Sequence, residues 1–464
     1  MLRVGRRLVE GWADLGTRFL PFADAATPDL PLSRLLRLSL FQVSCGMAMV
    51  LLMGTLNRVM IVELHVSAAL VAVMVSLPIC FAPLRALIGF RSDTHRSALG
   101  WKRVPFIWRG SMVQFGGFAI MPFALLVLAG AGQSAQYPAW IGQVAAGLAF
   151  LLVGAGVHTV QTVGLALATD LVPQEDQPKV VGLMYVMLLL GMIVSAVAFG
   201  VLLAEYSPGR LVRVIQGAAV LTLVLNVLAM WKQEVRDPHR HAPRLPAPEP
   251  GFDDAWRMFC SGPDALRRLL VVGLGTAAFS MEDVLLEPYG GEILHMSVSD
   301  TTLLTATLAT GGLFGFWLAS VVLARGYDAF RMAGLGALVG LPAFLLVIAA
   351  APLDSPLWFG TGVLLIGIGG GLFGHGTLTA TMRAAPRDQV GLALGAWGAV
   401  QATAAGLAVG LGGILRDAYA AATEPILGYI FVYSLELLLL LVTITAMVPL
   451  AGWRRDHATR NHAT

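Results

Sequence analysis

Met332 to Ala350 reads MAGLGALVGLPAFLLVIAA, nineteen residues in a row with no charged or strongly hydrogen-bonding side chain. As a helix rising 1.5 Å per residue it is about 28 Å long, close to the ~30 Å hydrocarbon core of a bilayer. Similar windows recur at 38–60, 66–88, 105–129, 139–169, 181–203, 211–231, 269–288, 300–323, 357–381, 391–414 and 426–450, which makes twelve spans. Of 464 residues 57% are apolar and 13% charged, about half the charged share of a soluble domain. The mean hydropathy is +0.75. This predicts an all-α membrane protein of twelve transmembrane helices.

The polar breaks organise those spans. Lys and Arg number 31, and only Arg58, Arg210, Arg213 and Arg416 fall in the loops of one side, leaving 27 at the other side and the termini. Basic residues concentrate on the cytoplasmic face, so both termini are expected there, in an inner or intracytoplasmic membrane. A net charge of +3 gives no reason to expect a nucleic-acid partner. Residues 1–34 carry Arg3, Arg6, Arg7, Arg18 and Arg34; the first twenty read either as a basic amphipathic surface helix or as a disordered tail. No secretory signal pattern is present. Cys45, Cys80 and Cys260 have no metal-ligand spacing.

Between Lys232 and Arg268 lies a charged connection with Pro238, Pro243, Pro246, Pro248 and Pro250, which reads as a linker between a half at 35–231 and a half at 269–451, with a tail at 452–464. The halves echo each other. Leu64-His65-Val66-Ser67 has a counterpart in Leu294-His295-Met296-Ser297, 230 residues on, and Thr169 and Asp176 have counterparts in Thr381 and Asp388, 212 on. Parallel repeats of six spans are the layout of the major facilitator superfamily. The loop after the second span adds Gly89, Asp93, Arg96, Gly100, Lys102 and Arg103, similar to that superfamily's cytoplasmic loop signature, although Gly100 stands further from Asp93 than the usual pattern has it. Asp93 can cap a helix end and pair with an arginine, a latch holding one conformation. A plain basic loop is the other reading.

Ionisable side chains inside spans are costly and therefore mark candidate sites. Span seven holds Glu282, Asp283 and Glu287, then Pro288-Tyr289-Gly290-Gly291. Asp283 and Glu287 are four apart, hence on one face of a helix that Pro288 and the glycines are expected to break just beyond. Such carboxylates suit a proton or cation site, with Arg58 of span one as a partner for Asp283 or Glu287; alternatively they are wet at the membrane rim. His158 and His375 lie in the corresponding fourth and tenth spans, and 367–376 contains six glycines, among them Gly370, Gly371 and Gly374. Bare backbone admits a flat ligand or another helix, and a neutral imidazole can ligate the magnesium of a chlorin, although a hydrogen bond to a neighbouring helix is the commoner role. No other metal site is expected. Glu436 has no obvious partner, and Gln42, Gln114, Gln161, Asn226 and Gln401 are scattered singly. With no P-loop, nucleotide fingerprint or nucleophile motif, an enzyme is not expected and no catalytic residue is assigned.

Three longer strings carry a resemblance: Gly54 to Leu64 (GTLNRVMIVEL), Arg85 to Ser97 (RALIGFRSDTHRS) with Gly100 to Pro105 (GWKRVP), and Glu282 to Gly291 (EDVLLEPYGG). They are similar to the PucC/LhaA family, the bacteriochlorophyll-delivery branch of the major facilitator superfamily, with Lys102 and Phe106 as mild departures where Arg and Tyr are expected. The resemblance implies an assembly factor for the light-harvesting antenna of purple bacteria, binding or delivering bacteriochlorophyll a as cargo to antenna polypeptides. It names no catalytic residues. The alternatives are a proton-coupled transporter of a small apolar solute and a scaffold for enzymes of bacteriochlorophyll synthesis, docked through Arg96, Lys102 and Arg103. Few buried polar groups favour an apolar cargo over a hydrophilic solute.

Overall fold

Met332 to Ala350 lies in one uninterrupted helix, as its composition requires, because in lipid each backbone polar group must find its partner within the segment. The structure is a computed structural model that describes residues 30–78, 85, 88, 91–92, 100–130, 132–173, 177–234, 264–384 and 390–450. Its long elements are helices: α1 Leu32–Leu38, α2 Leu40–Met49, α3 Ala68–Ser76, α4 Val104–Leu128, α5 Ala139–Asp170, α6 Gln177–Leu202, α7 Pro208–Met230, α8 Ala265–Ala278, α9 Leu286–Glu292, α10 Val298–Ala324, α11 Ala329–Ala350, α12 Pro356–Ala384, α13 Val390–Ala422 and α14 Pro425–Met447. Eleven helical segments among the described residues are long and apolar enough to cross a membrane. The predicted span at 66–88 is described continuously only to residue 78. The first twenty residues, most of the Pro-rich linker, the tail from 452, Gly89, Asp93 and Arg96 lie outside the described residues.

Starts and stops follow local chemistry. Ser207, Ser297 and Asp328 each accept a backbone N–H of the first turn they precede, on α7, α10 and α11. Gly326 takes φ +88 where α10 has ended, and Arg383 of α12 donates to the carbonyls of Leu323 and Tyr327 there. Beyond α2 the first span continues through two π-helical stretches, Val50–Leu56 and Val59–Glu63.

The repeated Leu-His-x-Ser tetrapeptides form one and the same bend. His65 and His295 have φ +53 and +51. Leu64 and Leu294 donate to the carbonyls five residues back, of Val59 and Tyr289, and Val66 and Met296 to those six back, of Met60 and Gly290. Ser67 and Ser297 then cap α3 and α10.

Packing divides the chain into two compact units, residues 1–51 with 83–243 and residues 52–82 with 244–464. In the first, α4 packs along α5 and α7, and α2 along α6 and α7. In the second, α12 packs between α10 and α11, and α3 and α8 lie on α13. The π-helical stretches from Leu52 on, with α3, therefore group with the second unit, whereas the sequence reading placed them in the half at 35–231. Asp417 of α13 accepts the Ala69 N–H at 2.7 Å, and Ser76 donates to Gly406 O at 3.1 Å.

The seventh span departs from expectation. α8 ends at Ala278, a single 3-10 turn covers Glu282–Val284, and helix resumes at Leu286. The break thus precedes Glu287, and Asp283 and Glu287 do not share one continuous helical face. Pro288, expected to end the helix, is instead the third residue of α9. There its missing N–H costs nothing, because first-turn amides have no acceptor in the helix.

Candidate functional site

In the second unit the wide π-helical turns place Gly54, Thr55, Asn57 and Arg58 against the broken seventh span. Asn57 Nδ2 donates to Val284 O at 2.8 Å, satisfying a carbonyl that the break leaves without a helical partner. Glu287, 4% exposed, accepts from the Thr305 hydroxyl of α10, and its carboxylate sits where a Cβ on Gly54 would be. Thr55 and Thr302 share a hydrogen bond at 3.3 Å.

Arg58 is buried, and its ion pair is with Glu63, a residue of its own stretch. It also donates to Met296 O at 3.2 Å. The expected pairing of Arg58 with Asp283 or Glu287 is therefore replaced by a local one, because Glu63 lies one turn further along the same π-helical rise. Arg58 Nε, Asn57 Oδ1 and Glu287 Oε2 are buried without a hydrogen-bond partner. Unspent capacity in a buried cluster is costly and marks the node as able to take a proton or a polar group.

Glu282 is 1% and Glu436 0% exposed, so these acids are not wet at the rim; Asp283 is half-buried. Glu436, without a visible partner in the sequence, accepts the Glu282 N–H at 2.7 Å and so holds the other side of the break. Beside it Tyr289, Tyr429 and Tyr433 pack edge to face and stacked.

The glycines of α12 divide by what faces them. A Cβ on Gly371 would strike Gly312 O of α10, and one on Gly369 would approach Gly336 O of α11, so these serve close helix packing. Gly370 and Gly374, one turn apart, meet nothing nearer than the Phe279 ring, 3.9 Å from a Cβ on Gly370. Of the three glycine candidates, Gly370 and Gly374 present open backbone and Gly371 does not. The His375 ring rests on Phe316, centroids 4.2 Å apart.

The first unit holds His158 half-buried on α5, its Nδ1 without a hydrogen-bond partner. One turn further along, two of the amides that looked scattered, Gln161 and Gln42, form a chain. Arg85 donates to Thr162 Oγ1 at 2.9 Å and to Gln161 Oε1 at 3.2 Å, and Gln161 Nε2 reaches Gln42 Oε1 at 3.4 Å. Sequence reasoning passed over Arg85 because it stands at the polar end of a predicted span.

Of the loop residues, Gly100 adopts φ +77, a conformation that favours glycine. Arg103 is held by Asp170 of α5 at 3.0 Å and by Ser92, and Lys102 Nζ lies 3.6 Å from Asp170. Glu234 accepts the backbone N–H groups of Lys102, Arg103 and Val104, capping α4. Asp170 and Glu234 are the acids this latch uses among the described residues. Neither was singled out, since they stand 67 and 131 residues from Arg103.

Residues 55–454 match the family described as PUCC protein. Protein PucC of Rhodovulum sulfidophilum is 64% identical over 419 residues, covering 90% of this chain and 92% of that one. Protein PucC of Cereibacter sphaeroides is 59% identical over 449 residues, 96% of this chain and 97% of that one. Among solved structures, a bacterial homolog of the human lysosomal transporter Spinster, in an inward-facing and occupied conformation, superposes with a TM-score of 0.66 at 14% identity, over 89% of this chain and 95% of that one. The fold is that of the major facilitator transporters, and the chain belongs to the PucC family.

Proposed function

We propose that this protein is an assembly factor for photosynthetic antenna complexes, which holds bacteriochlorophyll and passes it to antenna polypeptides without making or breaking a bond in it. The protein is an integral membrane protein of a photosynthetic family. In this reading it sits in the inner or intracytoplasmic membrane with both termini cytoplasmic. The observation that carries the pigment assignment is the open backbone at Gly370 and Gly374. A planar macrocycle with a long apolar tail needs such a surface more than a polar pocket. His158 and His375 are the proposed magnesium ligands.

Gently solubilised wild-type protein should co-purify with bacteriochlorophyll, read from its near-infrared absorption. The His158→Ala/His375→Ala protein and a Gly374→Leu protein should lose it. Pigment-free wild-type protein that still binds antenna polypeptides would reduce the role to that of a polypeptide chaperone. Deleting the gene and recording which antenna band disappears identifies the client.

The unspent polar atoms around Glu287 and Arg58 favour a second reading, a proton-coupled carrier of a small apolar solute. It requires flux into proteoliposomes driven by a pH step and abolished by Glu287→Gln. Absence of flux for every apolar solute tried removes it.

A further inference from the structure

The four arginines on the Lys/Arg-poor side of the spans differ in how their charge is met. Arg58 pairs with Glu63, Arg416 with Glu292 and Asp417, and Arg210 with Glu205 at 3.0 Å. Arg213 makes no ion pair among the described residues, and its Nε donates only to Gly209 O of its own helix at 3.3 Å. Arg210 and Arg213 stand in the first two turns of α7, where positive charge adds unfavourably to the helix dipole.

Below them runs an apolar groove of about 680 Å³ between α6 and α7, floored by Met47 and walled by Phe199, Val214, Gly217 and Leu221. Arg210, Val214, Gly217 and Leu221 fall on one stripe of α7, and the eleven steps from its first residue to its last cover about 16 Å. A Cβ on Gly217 would meet nothing within 4 Å. The groove therefore offers two cations at one end and a hydrocarbon-wide channel running from them towards the middle of the span.

We propose that this groove is a specific site for one anionic glycerophospholipid, its phosphate on Arg213 and Arg210 and one acyl chain along Val214, Gly217 and Leu221. The charge complementarity selects the headgroup, and the length of the stripe selects a lipid over a free phosphate. The bound anion neutralises Arg213, for which no described residue supplies a carboxylate.

The test is native mass spectrometry of delipidated full-length protein titrated with phosphatidylglycerol or with phosphatidylcholine of identical chains. Wild-type protein should retain one phosphatidylglycerol in preference to phosphatidylcholine. Each arginine near the headgroup is worth about a fivefold change in affinity, so Arg213→Gln should weaken phosphatidylglycerol about fivefold and phosphatidylcholine, whose choline offsets its phosphate, distinctly less. Gly217→Leu places a side chain in the channel, where its Cβ meets nothing within 4 Å, and should weaken both lipids. Equal retention of the two lipids by wild type, or unchanged phosphatidylglycerol binding in either variant, overturns the site. Circular dichroism and thermal unfolding of each variant, matched to wild type, keep these outcomes separate from misfolding.

Discussion

Gly54 is a residue whose side chain is absent because a neighbour's carboxylate needs its place. Glu287 and the Thr305 hydroxyl fill that space, so Gly54→Ala must push Glu287 off its donor. Overpacking of this kind costs about 1–3 kcal/mol, and the thermal unfolding midpoint in detergent should fall accordingly. Gly334 on α11 is the matching control, since a Cβ there meets nothing within 4 Å. Gly334→Ala should raise the midpoint slightly, by the ~0.5–1 kcal/mol that alanine gains over glycine within a helix. If both variants shift in the same direction, the packing around Glu287 is not as described. The sequence marked Glu287 as an acid within a span, either a cavity charge or wet at the rim, and the structure buries it. The sequence did not show that its donor is Thr305, because a threonine eighteen residues away in another span carries no local mark.

At the scale of elements, α4 and α9 make opposite statements about their first turns. α4 has no capping side chain of its own and takes Glu234 from beyond α7, which accepts the N–H of its first residue, Val104, and those of Lys102 and Arg103 just before it. Glu234→Ala should cost roughly 1–2 kcal/mol, the range of a lost N-cap, and Glu234→Gln, which keeps an acceptor, distinctly less. Unfolding midpoints of the two variants check this. α9 in contrast carries Pro288 where no hydrogen bond is forfeited. Pro288→Ala should change stability by less than about 1 kcal/mol, because the break in the seventh span is made upstream. There Asn57 takes the Val284 carbonyl, to which Pro288 four residues on has no N–H to donate, and Glu436 takes the Glu282 N–H. Reading the sequence put the interruption at Pro288 because proline is a strong local signal. Proline acts instead four residues upstream, where its ring and missing N–H free the Val284 carbonyl, and the polar side chains that take up the opened backbone come from other helices, outside any window over 278–292.

At the scale of the whole molecule, the apolar periods placed most of the described spans to within a few residues, since the thickness of hydrocarbon leaves a helix little freedom. The grouping into units and the partners of Arg103 and Arg85 were not legible, being set by which helices pack together rather than by any stretch alone. Orientation rests on the Lys/Arg count. Alkaline phosphatase fused after Thr464 should be inactive, and the same enzyme placed after Glu205 active. The reverse pattern inverts the topology. The paired bends at His65 and His295 supply a ruler of 230 residues between the first and seventh spans. On that ruler Gly54 matches Val284, and Asn57 matches Glu287. Gly54 makes room for Glu287, and Asn57 holds Val284 O, so each contact is the other with its partners exchanged. The node is self-complementary in the manner of a two-fold dimer interface. Across that exchange a carboxylate stands on one side and an amide on the other.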